Sequence, residues 1–208
     1  MRKTPAFVLS DEAELRRLIE LNPWITLVSH TSKGLVASHY AVLLDDSRDE
    51  LAIVGHVGRP DERVHELGQH EVMVVVQGPH GYISPSWYGA DPAVPTWNFT
   101  SAHLSGVPEI LDADENLRVL DRLVAHFEKH VDEPRLMRGT AENSAFADAI
   151  SAGTVGFRLV PTRIEAKTKL SQNKPEATVD RIISELEGDG PYASEALAAE
   201  MRRVRGEK

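Results

Sequence analysis

Four short runs rich in β-branched and aliphatic residues follow one another early in the chain: Ile25–Ser29, Leu35–Leu44, Leu51–His56 and Glu71–Gln77. Each is bounded by Gly, Asp or Pro, which is how strands are punctuated. Thr31-Ser32-Lys33-Gly34 and Asp45-Asp46-Ser47-Arg48 are links of hairpin length, so the chain opens as an antiparallel meander. Pro60–Gly68, with Pro near its first turn and Gly at its end, predicts one or two helical turns inserted into that meander. Further strands are expected at Ala102–Leu111 and Gly153–Glu165. Between them Glu115–Val131 carries Leu117, Leu120, Leu123, Val124 and Phe127 at helical spacing. A short opening helix is expected where Asp11 and Glu14 make a capping box ahead of Leu15, Leu18 and Ile19, ending before Asn22-Pro23. Mostly antiparallel strands with few helices favour a mainly β fold that closes, or partly closes, into a barrel, because closure removes exposed strand edges.

A chain of 208 residues, 41% of them hydrophobic, buries one sizeable core. The expected main domain spans residues 1–174. From Pro175 to Lys208 the chain turns charged and Ala-rich, with two short helical patterns split by Gly188-Asp189-Gly190-Pro191, which reads as a helical C-terminal extension. The absence of cysteine excludes disulfides, thiolate nucleophiles, iron–sulfur ligation and Cys-type zinc sites. A net charge of −9 disfavours an extended nucleic-acid surface. No leader-like or membrane-spanning apolar run is present, so the expected location is cytoplasmic, without membrane contact.

Several segments have the composition of a site. Pro79–Phe99 gathers Tyr82, Trp87, Tyr88 and Trp97 among four prolines, fits no regular period for long, and reads as a rigid aromatic loop; Trp87 and Trp97 read equally as core aromatics. Gly55-His56-Val57-Gly58-Arg59 follows an apolar strand and precedes the predicted helix, so amide donors and a guanidinium converge where a phosphate fits; the plain alternative is a turn. Lys167-Thr168-Lys169-Leu170-Ser171-Gln172-Asn173-Lys174 ends a predicted strand with three lysines, suited to a phosphate or hydroxyls, or to a solvated turn. Alternation turns Ser38 and His39 of Ala37-Ser38-His39 to opposite faces of their strand. His126 and His130 are four apart on the predicted helix but flanked by charge, which favours a solvated face over metal binding.

The motifs Asn22-Pro23-x-x-Thr26-Leu27-Val28-Ser29, Gly34-Leu35-x-Ala37-Ser38-His39, Gly55-His56-x-x-Arg59, Gly78-Pro79-x-x-Tyr82-Ile83-Ser84-Pro85-Ser86-Trp87-Tyr88, Val94-Pro95-Thr96-Trp97-Asn98-Phe99 and Lys167-x-Lys169-Leu170-Ser171-Gln172-Asn173-Lys174 together resemble the PaiB family, in order and spacing, from about Pro5 to Lys174. That resemblance implies an FMN-binding split β-barrel, antiparallel and Greek-key-like, akin to pyridoxamine phosphate oxidases and flavin reductases. It implies a homodimer with flavin at the subunit interface, and a negative transcriptional regulator that depends on or senses the flavin. Carried onto this chain, Arg59 with Gly55 and His56 meets the phosphate, and Ala37, Ser38 and His39 meet the ring edge. Lys169, Ser171, Gln172 and Asn173 form a second phosphate or ribityl shell, and Trp97 with Asn98 part of the pocket wall. Family members commonly continue from the Arg of the phosphate loop into Asn-Pro and a Trp, whereas Arg59 here is followed by Pro60-Asp61-Glu62-Arg63, which places two carboxylates near that loop. The competing functions are an FMN-dependent oxidoreductase acting on a small molecule and a haem-binding split barrel. Direct DNA binding rests on one small basic element, Arg202, Arg203 and Arg205.

Overall fold

β1 (Trp24–Thr31) and β2 (Gly34–Leu44) form the expected hairpin, in register from Trp24 opposite Ala41 to Thr31 opposite Gly34. Gly34, at φ 112°, makes the turn, a conformation that disfavours any side chain. This computed structural model describes Met1 and residues 4–206; Glu207 and Lys208, the end of the expected extension, lie outside the described residues. The chain divides into two compact units, each discontinuous in sequence.

The larger unit comprises residues 12–76 and 103–164. It opens with α1 (Glu12–Leu21) and holds β1, β2, β3 (Ile53–Gly58), the short α2 (Arg59–Val64), the start of β4 (Val72–Ile83), β6 (Glu109–Ile110), α3 (Ala113–Glu128), α4 (Ala141–Ser151) and β7 (Thr154–Leu159). Its strands lie in the order β6-β7-β3-β2-β1-β4, and the β1–β2, β1–β4, β2–β3, β3–β7 and β6–β7 pairs are antiparallel. Helix α3 is started by Asp112, whose side chain accepts from Glu115 N, and presses Val119 and Leu123 onto Leu43, Val54 and Leu111. Helix α4 carries no amphipathic signal, since Ala147 is its one buried residue, and the sequence reading missed it; Thr140 caps it.

The smaller unit, residues 1–11, 77–102 and 165–208, holds the rest of β4, most of β5 (Thr96–Gly106) and β8 (Arg163–Lys169), which neighbour one another in that order, and α5 (Glu176–Glu187) and α6 (Glu195–Val204). The two terminal helices do not fray. Val179, Ile182, Ile183, Leu186, Leu197 and Met201 bury themselves on Ile83, Tyr88 and Leu170.

Three expectations need correction. The strand expected over Ala102–Leu111 begins earlier, at Thr96, and breaks at Val107-Pro108, so that it is β5 followed by the short β6. β4 continues through Gly78-Pro79-His80-Gly81 to Ile83, so the aromatic loop is shorter than its composition suggested; α6 packs so closely on this strand that a Cβ at Gly81 would lie 2.9 Å from Leu197 Cδ2. The strand expected over Gly153–Glu165 is two strands, interrupted at Val160-Pro161-Thr162, where Thr162 N donates to Ser105 O instead of continuing a ladder.

Candidate functional site

Strand β2 pairs with β1 along its whole length on one edge, but on the other β3 covers only Val42, Leu43 and Leu44. Val42 N donates to Pro23 O, which fixes the even-numbered residues of β2 as those whose main-chain groups face β1. The N–H and C=O of Ala37 and His39 therefore point to the uncovered edge, where no strand among the described residues pairs with them. An open edge of donors and acceptors in a fixed row is a recognition surface.

The sheet face beside this edge is apolar and uncovered. Trp24, Thr26 and Val28 of β1 share it with Leu35, Ala37 and His39 of β2 and with Met73 and Val75 of β4. Trp24 is 66% and Leu35 77% exposed. The His39 ring stacks on Trp24 at 6.3 Å between centroids and 20° between planes, and its Nδ1 meets Thr26 Oγ1 at 3.1 Å.

Ser38 points the other way, as alternation requires. Its hydroxyl meets Nε2 of His65 at 2.9 Å, and Nδ1 of the same ring meets Ser29 Oγ at 2.8 Å. His65, just past α2, is 1% exposed, and burial pushes its pKa down, against the opposing pull of Asp61. Tyr40 donates to Asp61 Oδ2 at 2.8 Å, and burial, with Asp61 adding, pushes its hydroxyl up to about 12. His65, Tyr40, Asp61 and Ser29 escaped the sequence reading as site residues because no local motif joins them: Ser29 and Ser38 stand 36 and 27 residues from His65.

The Gly55–Arg59 segment has a structural explanation at each end. A Cβ on Gly55 would lie 2.9 Å from Ala41 O and 3.1 Å from both Phe157 and Val42, so glycine is set by strand packing. Gly55→Ala is expected to cost about 1–3 kcal/mol in a urea melt, from the overpacking alone. His56 keeps a buried Nδ1 without a partner, and burial lowers its pKa. Arg59 donates through Nε to Ala152 O at 2.9 Å and through Nη2 to Thr154 O at 3.2 Å, while Nη1 faces Glu62 at 3.6 Å across the wall of a cavity of about 220 Å³. Of the two carboxylates after Arg59, Asp61 is thus held by Tyr40 and Glu62 by Arg59.

The remaining sequence candidates lie in the smaller unit. Asn98 and Ser171 are buried and bonded to each other, Nδ2 to Oγ at 3.0 Å and Oγ to Oδ1 at 3.1 Å, with Ser171 at φ 63°. Gln172 folds back onto Leu170 N and Thr168 O, while Asn173 is exposed. Lys169 Nζ donates to Trp97 O at 2.8 Å and to Thr96 Oγ1; burial lowers its pKa, and Lys167 and Lys174 add to the effect. Trp97 is 56% exposed and edge-on to Tyr82, which also packs on Tyr192. Trp87 and Tyr88, by contrast, belong to the core of this unit.

A family model described as "Putative FMN-binding domain" matches residues 1–163. The chain is 31% identical over 185 residues to the "Protease synthase and sporulation protein PAI 2" of Bacillus subtilis, across 88% of this chain and 87% of that protein. It is 30% identical over 117 residues to an uncharacterized protein of Saccharomyces cerevisiae, across 52% of this chain and 69% of that one. Among solved structures, the FAD and heme binding protein of Mycobacterium smegmatis superimposes with a TM-score of 0.58 at 18% identity, over 88% of this chain and 80% of that one. A flavocytochrome of Azotobacter vinelandii gives a TM-score of 0.58 at 13% identity, over 81% and 72%. At such identities the likeness is one of fold, and it is the split barrel expected from the sequence.

Proposed function

Since this chain belongs to the PaiB family of FMN-binding domains, we propose that it binds FMN along the open edge of β2 and uses the flavin as a redox or sensing group. The single observation that supports this site is the row of outward main-chain groups at Ala37 and His39. The edge of an isoalloxazine carries two carbonyls, a ring N–H and a ring nitrogen acceptor, and a fixed row of amides and carbonyls answers that pattern as a strand answers a strand. The residues therefore fit the cofactor. Ala37 and His39 hold the ring edge through the main chain, Ser38 and His39 flank it, and we assign the phosphate to Arg59 with the amides around Gly58. Bound there, FMN supplies hydride and electron transfer, chemistry no side chain here provides.

The uncovered face of β1, β2 and β4 supports a homodimer in which a second copy covers Trp24, Leu35 and Val28 and closes the flavin between subunits. Exposed aromatic and aliphatic groups beside a ligand edge suit an interface better than open solvent.

The Bacillus relative's name ties it to protease synthesis and sporulation, and we infer a regulatory role for this chain too, exercised through the flavin rather than through DNA contact. Among the described residues, Arg202 pairs with Glu187 at 2.8 Å, Arg203 with Glu200 at 3.0 Å, and Arg205 with Asp180 at 2.6 Å and Glu176 at 3.2 Å. With these carboxylates beside them, the three arginines make no net positive patch for a nucleic-acid backbone. The second reading, an FMN-dependent oxidoreductase, shares the site and is favoured by the hydrogen-bonded groups beneath it. Titrating the purified protein with FMN, followed by absorbance and flavin fluorescence with mass by light scattering, should give saturable quenching and a dimer mass. Absence of binding, or a Soret band in place of flavin absorbance, would overturn the reading.

A further inference from the structure

A cavity of about 340 Å³ opens in the larger unit between the end of α1, the end of β2 and one face of α3. Its apolar lining is Pro23, just past α1, the Val42, Leu43 and Leu44 run of β2, and Ala125. Arg122, His126 and Lys129 stand at i, i+4 and i+7 on α3, a spacing that brings them to one side of the helix and so to one wall. Glu20 of α1 and Asp46, in the turn after β2, add carboxylates to the lining. Arg122 is answered from within: Nη2 donates to Leu44 O at 2.9 Å, and Asp45 and Asp46 lie 3.6 and 3.7 Å from the guanidinium. Those contacts shape the cavity and leave Arg122 no charge to spare. Among the described residues, neither Glu20 nor Lys129 makes an ion pair. The His126 ring feels both: burial lowers its pKa most, Lys129 and His130 add to that, and Glu20 opposes, so the ring is neutral near pH 7.

We propose that this cavity binds a free α-amino acid with a short apolar side chain. One spare cation, one spare carboxylate and a neutral imidazole around an apolar lining are the complement of a zwitterion. Lys129 takes the α-carboxylate, to which His126 donates a ring N–H, Glu20 takes the α-ammonium, and the side chain lies on Pro23, Val42 and Leu43. A simple anion meets Lys129 but is repelled by Glu20 and Asp46, and a simple amine meets Glu20 but is repelled by Lys129, so the lining selects for both charges on one molecule. The volume lies near the small end of the range of ligand pockets, about 300–1,000 Å³, which suits a metabolite smaller than a nucleotide. None of these residues belongs to the FMN site assigned above, so the two sites stand or fall separately.

The full chain without flavin is titrated with L-leucine and with L-valine and followed by NMR of its amides and histidine rings. Saturable shifts are expected at the amides of residues 42–46 and 122–129 and at the His126 ring, with a Kd of about 1 mM or tighter. The compounds 4-methylpentanoate and 3-methylbutylamine each keep the leucine side chain and one of its two charges, and each should bind about tenfold more weakly than leucine or worse. Glu20→Gln and Lys129→Met should weaken leucine binding by about tenfold or more. Ala125→Leu, which narrows the cavity and changes no charge, should weaken it as well. Glu20, Ala125 and Lys129 are all exposed, so the three variants should melt as the wild type does. The absence of saturable shifts up to about 20 mM leucine, shifts that saturate at other residues, either singly charged compound binding as well as leucine, or leucine affinity unchanged in both charge variants would each overturn the proposal.

Discussion

Replacing Arg158 by alanine is expected to cost about 3–5 kcal/mol, the usual penalty for removing one partner of a buried ion pair. Arg158 on β7 is 7% exposed and holds three carboxylates: Asp45 at 2.6 Å, Glu109 at 3.0 Å and Glu115 at 3.2 Å. It ties the end of β2 to β6 and to the first turn of α3. Asp45 is 1% exposed, and without Arg158 its strongest partner is gone. Burial alone would push the Asp45 carboxyl up, but Arg158 and the Ser47 hydroxyl and amide hold it below the ordinary value, and the Arg158 guanidinium is correspondingly pushed up. A depressed folded pKa adds stability above the unfolded value of about 3.9, and that stability is lost as pH falls through the folded value. In the variant Asp45 keeps Arg122 at 3.6 Å and the Ser47 hydroxyl and amide, but loses the cation that does most to hold its carboxyl down. Urea melts should therefore show the full deficit at pH 7 and a smaller one near pH 4. A deficit under about 1 kcal/mol at pH 7 would mean that the clamp is a bystander.

A chain ended after Lys174 should lose the smaller unit altogether. The cut removes Val179, Ile182, Ile183, Leu186, Leu197 and Met201, whose burial contributes on the order of 10 kcal/mol, as much as the whole stability of a typical domain. It also removes Arg181, which donates to the main-chain oxygens of Trp87 and Tyr88 and fixes the 3-10 turn Pro85–Trp87. The truncated protein should be insoluble, or lose amide protection over residues 77–102 in hydrogen exchange. A gentler variant, Leu186→Ala, should cost about 2–5 kcal/mol. A soluble truncated chain with unchanged protection would show that the terminal helices are an appendage.

The strands of the first hairpins were legible because β-branched runs between turn residues are a local signal, and α3 because its apolar residues, Leu117 to Phe127, recur at helical spacing over about three turns. The opposite facing of Ser38 and His39 followed from strand alternation alone. What stayed hidden depends on contacts distant in sequence. Gly78–Gly81 looks like a turn until α6 is seen lying on it, and Gly55 looks like a phosphate glycine until the carbonyl of Ala41 is seen beside it. Asn98 and Ser171 share a motif-rich appearance with exposed site residues, yet their polar atoms are spent on each other across 73 residues. His65 was passed over for the same reason in reverse: nothing beside it in the sequence distinguishes it, and its ring nitrogens are met by two serine hydroxyls brought from β1 and β2.

The most direct test of the account is the FMN affinity of Ala37→Pro beside that of the wild type. Because the Ala37 N–H faces the open edge, proline there removes no hydrogen bond of the β1–β2 ladder, whereas Ser38→Pro would remove the one shared with Leu27. Wild-type protein should bind FMN saturably, Ala37→Pro should keep the native circular dichroism and bind about tenfold more weakly for the loss of one main-chain donor, and Ser38→Pro should unfold. Equal FMN affinity in wild type and a folded Ala37→Pro protein would contradict the placement of the flavin on the open edge of β2.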